Sequence, residues 1–232
     1  MPRRLPVYFL IDCSGSMDGQ PSEAVWSNLE RLHGELLRNP MAMDTVYLSV
    51  ITFATEAKEL VPLTALTDFQ TPREPADGFT ALGKALNLLA NCVERDVERK
   101  RNETERGDYR PIVFLFTDGF PTDSDSVMET AIQRVRNIYW GQFVACAGGH
   151  HVDTNILQKI TDDVIQMQSL TPDMFASFFK WVSDSIASHA ISLVKPTALP
   201  ASSTPGTGSS SGGTLPVSQP SLPLGFVNLR KA

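Results

Sequence analysis

Short apolar runs of strand length alternate along this chain with longer segments of helical periodicity. Residues 5–11 and 112–116 are continuous apolar runs, as expected of strands that are buried on both faces of a parallel sheet. Between such runs, apolar residues recur on one helical face, as at Val25, Leu29 and Leu32. Helices are the usual crossover connections between parallel strands. The alternation therefore predicts an α/β fold, a doubly wound and mostly parallel sheet with helices on both faces.

One connection departs from this pattern. The strand-like segments 46–53 and 57–63 are separated by only three residues, too few for a crossover, so the two strands are expected to be antiparallel neighbours. The segment 57–63 is therefore placed at an edge of the sheet, whereas 112–116, the most apolar strand, is placed near its centre. The other expected elements are helices at 22–38, 82–93, 126–139 and 154–160, strands at 143–147 and 164–165, and a last helix that starts after Thr171.

Composition changes sharply after Lys195. In residues 196–225, Pro, Gly, Ser and Thr make up 22 of 30 positions, and none of the 30 is charged. Such a segment has too little apolar surface to offset the entropy cost of ordering it. We therefore expect a domain over residues 1–195, a flexible linker over 196–225 and a short tail over 226–232. The tail is either a frayed terminus or a docking peptide that orders on a partner.

Charge, hydropathy and cysteine content argue against a nucleic-acid-binding protein, a membrane-spanning protein and a disulfide-bonded protein. The formal net charge is −6, whereas binding to nucleic acid requires clustered Lys and Arg. No apolar stretch approaches the ~20 residues that span a bilayer. Cys13, Cys92 and Cys146 form no CxxC pair and are expected to be buried thiols in a reducing compartment. The chain is thus expected to be cytoplasmic, with no membrane span and no nucleic-acid partner.

Carboxylate and hydroxyl side chains lie where the predicted strands end. Asp12, Ser14 and Ser16 follow the first strand, Asp118 follows the central strand, and Thr80 lies where a loop opens a helix. In a doubly wound sheet, the carboxyl ends of the strands form the edge at which ligands bind. Side chains two apart in an extended segment point the same way, so those of the first loop can approach one point. All five side chains are therefore expected to converge.

These five side chains offer only oxygen atoms, a donor set that selects a hard cation. They are few and small enough to leave room for water and for one vacant position, which favours Mg²⁺ over a complete protein cage for Ca²⁺. Mn²⁺ and Ca²⁺ are alternatives. Two of the residues also have a structural explanation, because Thr80 can cap a helix and Asp118 can form a strand-end turn.

The spacing of these residues resembles the metal-ion-dependent adhesion site (MIDAS) of the von Willebrand factor A (vWA) domain family. The elements are D-x-S-x-S at Asp12, Ser14 and Ser16, the threonine Thr80 and the aspartate Asp118, and the resemblance covers residues 5–190. The local forms DCSGSM, DGFTALG and FTDGFPTD look like the bacterial tellurium-resistance branch, the TerY-type proteins. The resemblance implies that both serines and one of the other three groups bind the metal directly, with the rest acting through water.

The resemblance also implies a function. It identifies the chain as a non-enzymatic, metal-dependent protein-binding module, in which the bound Mg²⁺ coordinates an Asp or Glu carboxylate of a partner protein. It implies that the last helix shifts when the metal site is occupied. The TerY-type branch further implies tellurite and stress resistance in bacteria, together with a protein kinase and a PP2C-type phosphatase.

Two other classes of function are less consistent with the sequence. The alternative function is a Mg²⁺-dependent phosphohydrolase, but the haloacid-dehalogenase pattern requires a second aspartate at the position that Ser14 occupies. A nucleotide-binding Rossmann domain is the third class. Neither GxGxxG nor GxxxxGK[ST] follows any predicted strand, so the sequence does not support it.

Overall fold

The computed structural model of this chain describes residues 3–99, 106–149, 152–194 and 220–229. Within these ranges the chain forms seven strands in one sheet and six α-helices. The strands are Leu5–Asp12 (β1), Val46–Phe53 (β2), Ala57–Ala65 (β3), Ile112–Thr117 (β4), Gln142–Gly148 (β5), Asp163–Met167 (β6) and Phe226–Asn228 (β7). The helices are Gln20–Leu36 (α1), Pro40–Thr45 (α2), Leu82–Asp96 (α3), Asp125–Arg136 (α4), Thr154–Ile160 (α5) and Pro172–Val194 (α6).

The sheet has the strand order β3-β2-β1-β4-β5-β6-β7. β1 pairs in parallel with β2 and β4, and β5 pairs in parallel with β4 and β6. β3 pairs antiparallel with β2 at one edge. The structure therefore confirms the predicted doubly wound, mostly parallel fold, its antiparallel edge strand and the central position of β4.

Helices cover both faces of the sheet, and each face has its own core. Alternate residues of β1 point to opposite faces, so Val7 and Phe9 belong to one core while Tyr8 and Leu10 belong to the other. The first core is closed by the apolar stripes of α1 and α6, and the second by those of α3, α4 and α5. Because every residue of β1 is buried, the strand that leads into the candidate site is rigidly held on both sides.

α6 is the longest helix and begins as predicted. Thr171 accepts a hydrogen bond at Oγ1 from the backbone N of Met174 at 3.4 Å, and Pro172 occupies the first helical position. The aromatic residues Phe175, Phe178 and Trp181 then face the core. None of the helices in the described ranges is both long and apolar enough to cross a lipid bilayer.

A second antiparallel edge strand, β7, differs from the sequence prediction. The sequence placed residues 226–232 in a tail outside the domain, whereas the structure pairs Phe226–Asn228 with β6. Three residues are too few to show strand periodicity, and their pairing depends on a partner strand that is distant in sequence. Residues 196–219 of the expected linker lie outside the described residues, so the division of the chain at residue 196 stays a prediction.

The short helix α2 was also absent from the prediction. Asn39 caps it, because Asn39 Oδ1 accepts hydrogen bonds from the backbone N of Met41 and of Ala42 at 3.0 and 3.3 Å. Pro40 supplies the first helical residue. Six residues cannot display a helical stripe, so only the capping pair Asn39-Pro40 could have revealed this helix.

Candidate metal centre

The ends of β1 and β4 form the centre of the candidate site. The two strands are adjacent and parallel with Ile11 opposite Phe116, which places Asp12 beside Thr117. Thr117 Oγ1 donates a hydrogen bond to Asp12 Oδ2 at 2.5 Å, and the backbone N of Ser14 donates to Asp12 Oδ1 at 2.8 Å. Both oxygens of this buried carboxyl group are thus held in place.

The loop after β1 presents two hydroxyl groups. Gly15–Met17 form one 3-10 turn, and the Met17 side chain anchors this turn in the core with 1% exposure. Ser14 Oγ lies 3.1 Å from Ser16 Oγ, as expected for side chains two apart. Ser14 is buried whereas Ser16 is exposed, so the hydroxyl pair leads from the buried Asp12 to solvent.

Asp118, which follows β4, joins the first loop directly. Ser16 Oγ donates a hydrogen bond to Asp118 Oδ1 at 2.7 Å. These two residues are 102 positions apart in sequence, and only the β1–β4 pairing brings them together. The structure therefore places four of the five predicted residues in one connected cluster of oxygen atoms.

The loop that carries Thr80 is fastened to the first loop through its backbone. The backbone N of Gly15 donates to Gly78 O at 3.1 Å, and the backbone N of Asp77 donates to Cys13 O at 2.8 Å. Gly78 has φ of 80°, a conformation that favours glycine. These contacts bring Thr80, which is 5% exposed, to the same edge of the sheet.

Gly119 allows the close approach of Thr80 to the Asp118 loop. A Cβ atom at position 119 would lie 2.8 Å from Thr80 Oγ1, which is shorter than normal contact. The backbone N of Thr122 also donates to Thr80 O at 2.9 Å. The fifth predicted residue therefore packs against the loop of the fourth, although the contact runs through Gly119 rather than through a direct hydrogen bond.

Burial raises the pKa of both carboxyl groups in the cluster. The pKa of Asp12 rises to about 6, chiefly because burial disfavours its charged form, although the Ser14 and Thr117 hydrogen bonds oppose the shift. Burial likewise raises the pKa of Asp118, against the hydrogen bond from Ser16. Within the described part of the chain, no basic side chain contributes to either shift. A bound cation would supply the missing positive charge.

The donor set fits a hard divalent cation. It consists of the carboxyl groups of Asp12 and Asp118 and the hydroxyl groups of Ser14, Ser16 and Thr80, and oxygen ligands of this kind suit Mg²⁺, Mn²⁺ or Ca²⁺. Among the described residues, no group of three or more His, Cys, Asp or Glu side chains is arranged to hold a metal ion. Ser14, Ser16 and Thr80 supply the other oxygen donors of this cluster.

Two supporting residues were not identified from the sequence. Thr117 looks like an ordinary strand residue, and its role depends on the register of β1 against β4. Asp123 lies just before α4 in the sequence, yet it caps α3, since its carboxylate accepts from the backbone N of Gly83 at 2.8 Å and of Lys84 at 3.2 Å. The signal for this role was the lack of a capping side chain at Ala81.

Large apolar side chains flank the candidate ligands. Phe79 precedes Thr80 and is 66% exposed, and Phe120 follows the Asp118 loop and is 59% exposed. Phe79 also lines a cleft of about 410 Å³ together with Thr55 and Lys84. Exposed aromatic side chains of this size are common at protein interfaces. The site thus combines a polar centre with two exposed aromatic side chains, Phe79 and Phe120, which form its apolar rim.

Comparison with known proteins identifies relatives in sequence and in structure. Human inter-alpha-trypsin inhibitor heavy chain H1 is 27% identical over 163 residues, which cover 67% of this chain but only 17% of that protein. A von Willebrand factor type A protein from Catenulispora acidiphila has a TM-score of 0.59 at 19% identity, covering 80% of this chain and 43% of that one. The PilB minor pilin from Streptococcus sanguinis has a TM-score of 0.61 at 12% identity, with coverages of 84% and 64%.

A third structural relative is proximal thread matrix protein 1 from the mussel byssus, whose MIDAS motif is occupied by zinc. It has a TM-score of 0.51 at 20% identity, covering 78% of this chain and 46% of that one. These structural likenesses show a shared fold. The family model of the von Willebrand factor type A domain matches residues 7–184, a span that contains all five candidate ligands. The chain belongs to the von Willebrand factor type A domain family.

Proposed function

We propose that this chain is a metal-dependent protein-binding module. The observation that carries the proposal is the 2.7 Å contact between Ser16 Oγ and Asp118 Oδ1, because it joins two distant loops at a point open to solvent. Domains of this family are typically metal-dependent interaction modules, which supports the same conclusion. The five ligands are Asp12, Ser14, Ser16, Thr80 and Asp118.

A bound divalent cation supplies a coordination position for an anionic group of another molecule. Ser14, Ser16 and one of the remaining three groups contact the cation directly, and the others act through water. The chain has a formal net charge of −6 and would repel an acidic partner in the absence of the cation. The partner therefore presents an Asp or Glu carboxylate, and its binding requires the metal.

Mg²⁺ is the proposed cation. Its preference for oxygen ligands and retained water matches a cluster of small hydroxyl and carboxyl groups. Mn²⁺ and Ca²⁺ have similar ligand preferences, and the mussel byssus protein holds zinc at its MIDAS motif. Calorimetric titration of the metal-free chain with each ion measures this preference directly.

The apolar rim supports a protein as the ligand. Phe79 and Phe120 expose more than half of their surface beside the ligand cluster, and burying such side chains is a strong source of interface energy. A partner that fits this face has an acidic residue flanked by apolar side chains. A small anion such as acetate is too small to bury both phenyl rings.

The cellular setting is proposed from three short sequence motifs. DCSGSM, DGFTALG and FTDGFPTD resemble the TerY-type proteins, in which such domains accompany a protein kinase and a PP2C-type phosphatase in tellurite and stress resistance. A bacterial, cytoplasmic role in such a system is therefore proposed. Pull-down of a kinase or phosphatase in Mg²⁺ but not in EDTA supports it.

The proposed role is non-enzymatic. Asp12 is 1% exposed, and both of its carboxyl oxygens accept hydrogen bonds within the site, so it is not presented as a nucleophile. Assays with aryl phosphate and Mg²⁺ should therefore show no turnover. Turnover that Asp12→Ala abolishes would instead support the alternative, a Mg²⁺-dependent phosphohydrolase.

The decisive experiment measures partner binding in Mg²⁺ and in EDTA. The immobilised chain should capture the partner from a cell extract in Mg²⁺ only, and Asp12→Ala should abolish capture. The matched control is Asp162→Ala, which makes the same change at an exposed residue and should leave capture unchanged. Equal capture by the wild-type chain in EDTA would refute the metal bridge.

A further inference from the structure

The segment 220–229 lies along the outer edge of β6 and against α6, far in sequence from both. β7 pairs antiparallel with β6, placing Phe226 opposite Met167 and Asn228 opposite Ile165. The backbone N of Leu229 donates to Val164 O at 2.8 Å. Antiparallel pairing with a sheet edge is the way in which many proteins bind extended peptides.

Side chains of α6 provide a second set of contacts for this segment. The ring of Phe226 stacks on that of Phe178, with centroids 6.3 Å apart and an interplanar angle of 22°. Trp181 Nε1 donates a hydrogen bond to Pro220 O at 2.9 Å. The two aromatic residues of α6 therefore contact the segment at Pro220 and at Phe226, and the β6 edge pairs with its backbone.

Gly225 fits the segment closely to α6. Its φ is +87°, and a Cβ atom there would lie 2.9 Å from Met174 Cε. The backbone N of Gln168 also donates to Gly225 O at 3.3 Å. The turn before β7 thus favours glycine because of its positive φ.

The segment nevertheless lies on the surface throughout. None of residues 220–229 is fully buried, and Leu224 is 97% exposed. β7 has only three residues, and it occupies the end of the strand order. Elements with few buried contacts open at a small fraction of the global unfolding free energy. This edge strand should therefore detach without unfolding the sheet.

We propose that the β6 edge and the aromatic face of α6 form a peptide-binding site, and that residues 220–229 are its tethered resident ligand. The site accepts the same segment supplied by a separate molecule. Its ligands are extended, uncharged peptides with a Gly-Phe step, so that the backbone pairs with β6 and the phenyl ring stacks on Phe178. The site lies two strands from β4, away from the candidate metal ligands.

The chain's own residues 220–229 compete with any added peptide for the site, so the test has to remove this competition. A segment joined by a linker acts at an effective concentration on the order of millimolar, so the wild-type chain should bind added peptide only weakly. Phe226→Asp in the full chain removes the stacked ring and places a charge on the aromatic face of α6. This variant should release its own segment and leave the site open.

The experiment measures binding of a fluorescent peptide with the sequence PSLPLGFVNL by anisotropy. Its affinity for the Phe226→Asp chain should exceed that for wild type by about tenfold or more, and a peptide with Asp in place of Phe should not bind. Leu224→Asp is the matched control, because the same charge is introduced at a side chain that is 97% exposed. It should bind peptide as weakly as wild type does.

Equal and weak binding by all three chains would overturn the proposal, since the segment would then be a fixed part of the fold.

Hydrogen exchange of the unaltered chain provides a second test that needs no variant. The Leu229 amide should exchange much faster than amides of β1 and β4, and protection equal to theirs would also overturn the proposal. A dimer that forms at high concentration and is dissolved by excess peptide would support it, as exchange of the segment between two copies.

Discussion

Replacing Asp12 by Asn should stabilise the chain in the absence of metal. Asp12 is 1% exposed, and burial raises its pKa from the ordinary 3.8 to about 6. The folded chain therefore holds a proton on this carboxyl group more tightly than the unfolded chain does. Asparagine keeps the shape and still bonds to the Ser14 backbone N and to Thr117, but it carries no charge that burial can penalise.

The magnitude follows from the pKa. A rise from 3.8 to about 6 corresponds to about 3 kcal/mol. Because the folded-state pKa is the higher one, the stability of the metal-free wild type falls as pH rises from about 4 to about 6 and stays low above that range. Asp12→Asn should thus be more stable than wild type by up to about 3 kcal/mol at pH 7.5, with most of the gain absent at pH 4.

Urea unfolding in EDTA at pH 4 and pH 7.5 measures this difference. Mg²⁺ should then raise the stability of wild type at pH 7.5 and leave Asp12→Asn unchanged, because the variant has lost a metal ligand. Asp162→Asn is the control, an exposed carboxylate whose loss should change neither result. A variant that is less stable than wild type at pH 7.5 in EDTA would refute the reasoning.

Three further predictions concern the surroundings of the site. Gly119→Ala should weaken Mg²⁺ binding in calorimetry by about tenfold or more, since the added Cβ would lie 2.8 Å from Thr80 Oγ1. Gly34→Ala, whose Cβ meets nothing within 4 Å, should bind Mg²⁺ like wild type. Asp123→Ala should lower the free energy of unfolding by about 1 kcal/mol, because α3 loses its cap; an unchanged urea midpoint would contradict this. All three cysteines are buried, with pKa values raised by burial, so a disulfide reagent at pH 8 should modify them only after unfolding.

The sequence carried most of the information about the fold, because the strands buried on both faces are continuous apolar runs. β2 and α5 have the predicted boundaries, and β4 lies at the centre as its composition indicated. β7 and α2 were missed for a shared reason, since both are too short for a periodic pattern. β7 in addition forms only through its pairing with β6.

The candidate ligands could be predicted because each lies directly after a strand or before a helix, where topology fixes its place. The supporting contacts could not be predicted, because they depend on how separate segments meet. Thr117 reaches Asp12 only through the register of β1 against β4. Asp123 caps α3 rather than the helix that follows it, across 40 positions of sequence.

Crystals of the chain grown with Mn²⁺ test the metal centre most directly, since anomalous scattering locates that ion without reference to the protein atoms. We expect a single strong peak within coordination distance of the Ser14 and Ser16 hydroxyl groups, and no peak there in Asp12→Ala crystals. A peak elsewhere on the surface, or none at millimolar Mn²⁺, would contradict the assignment of these loops as a metal-binding site.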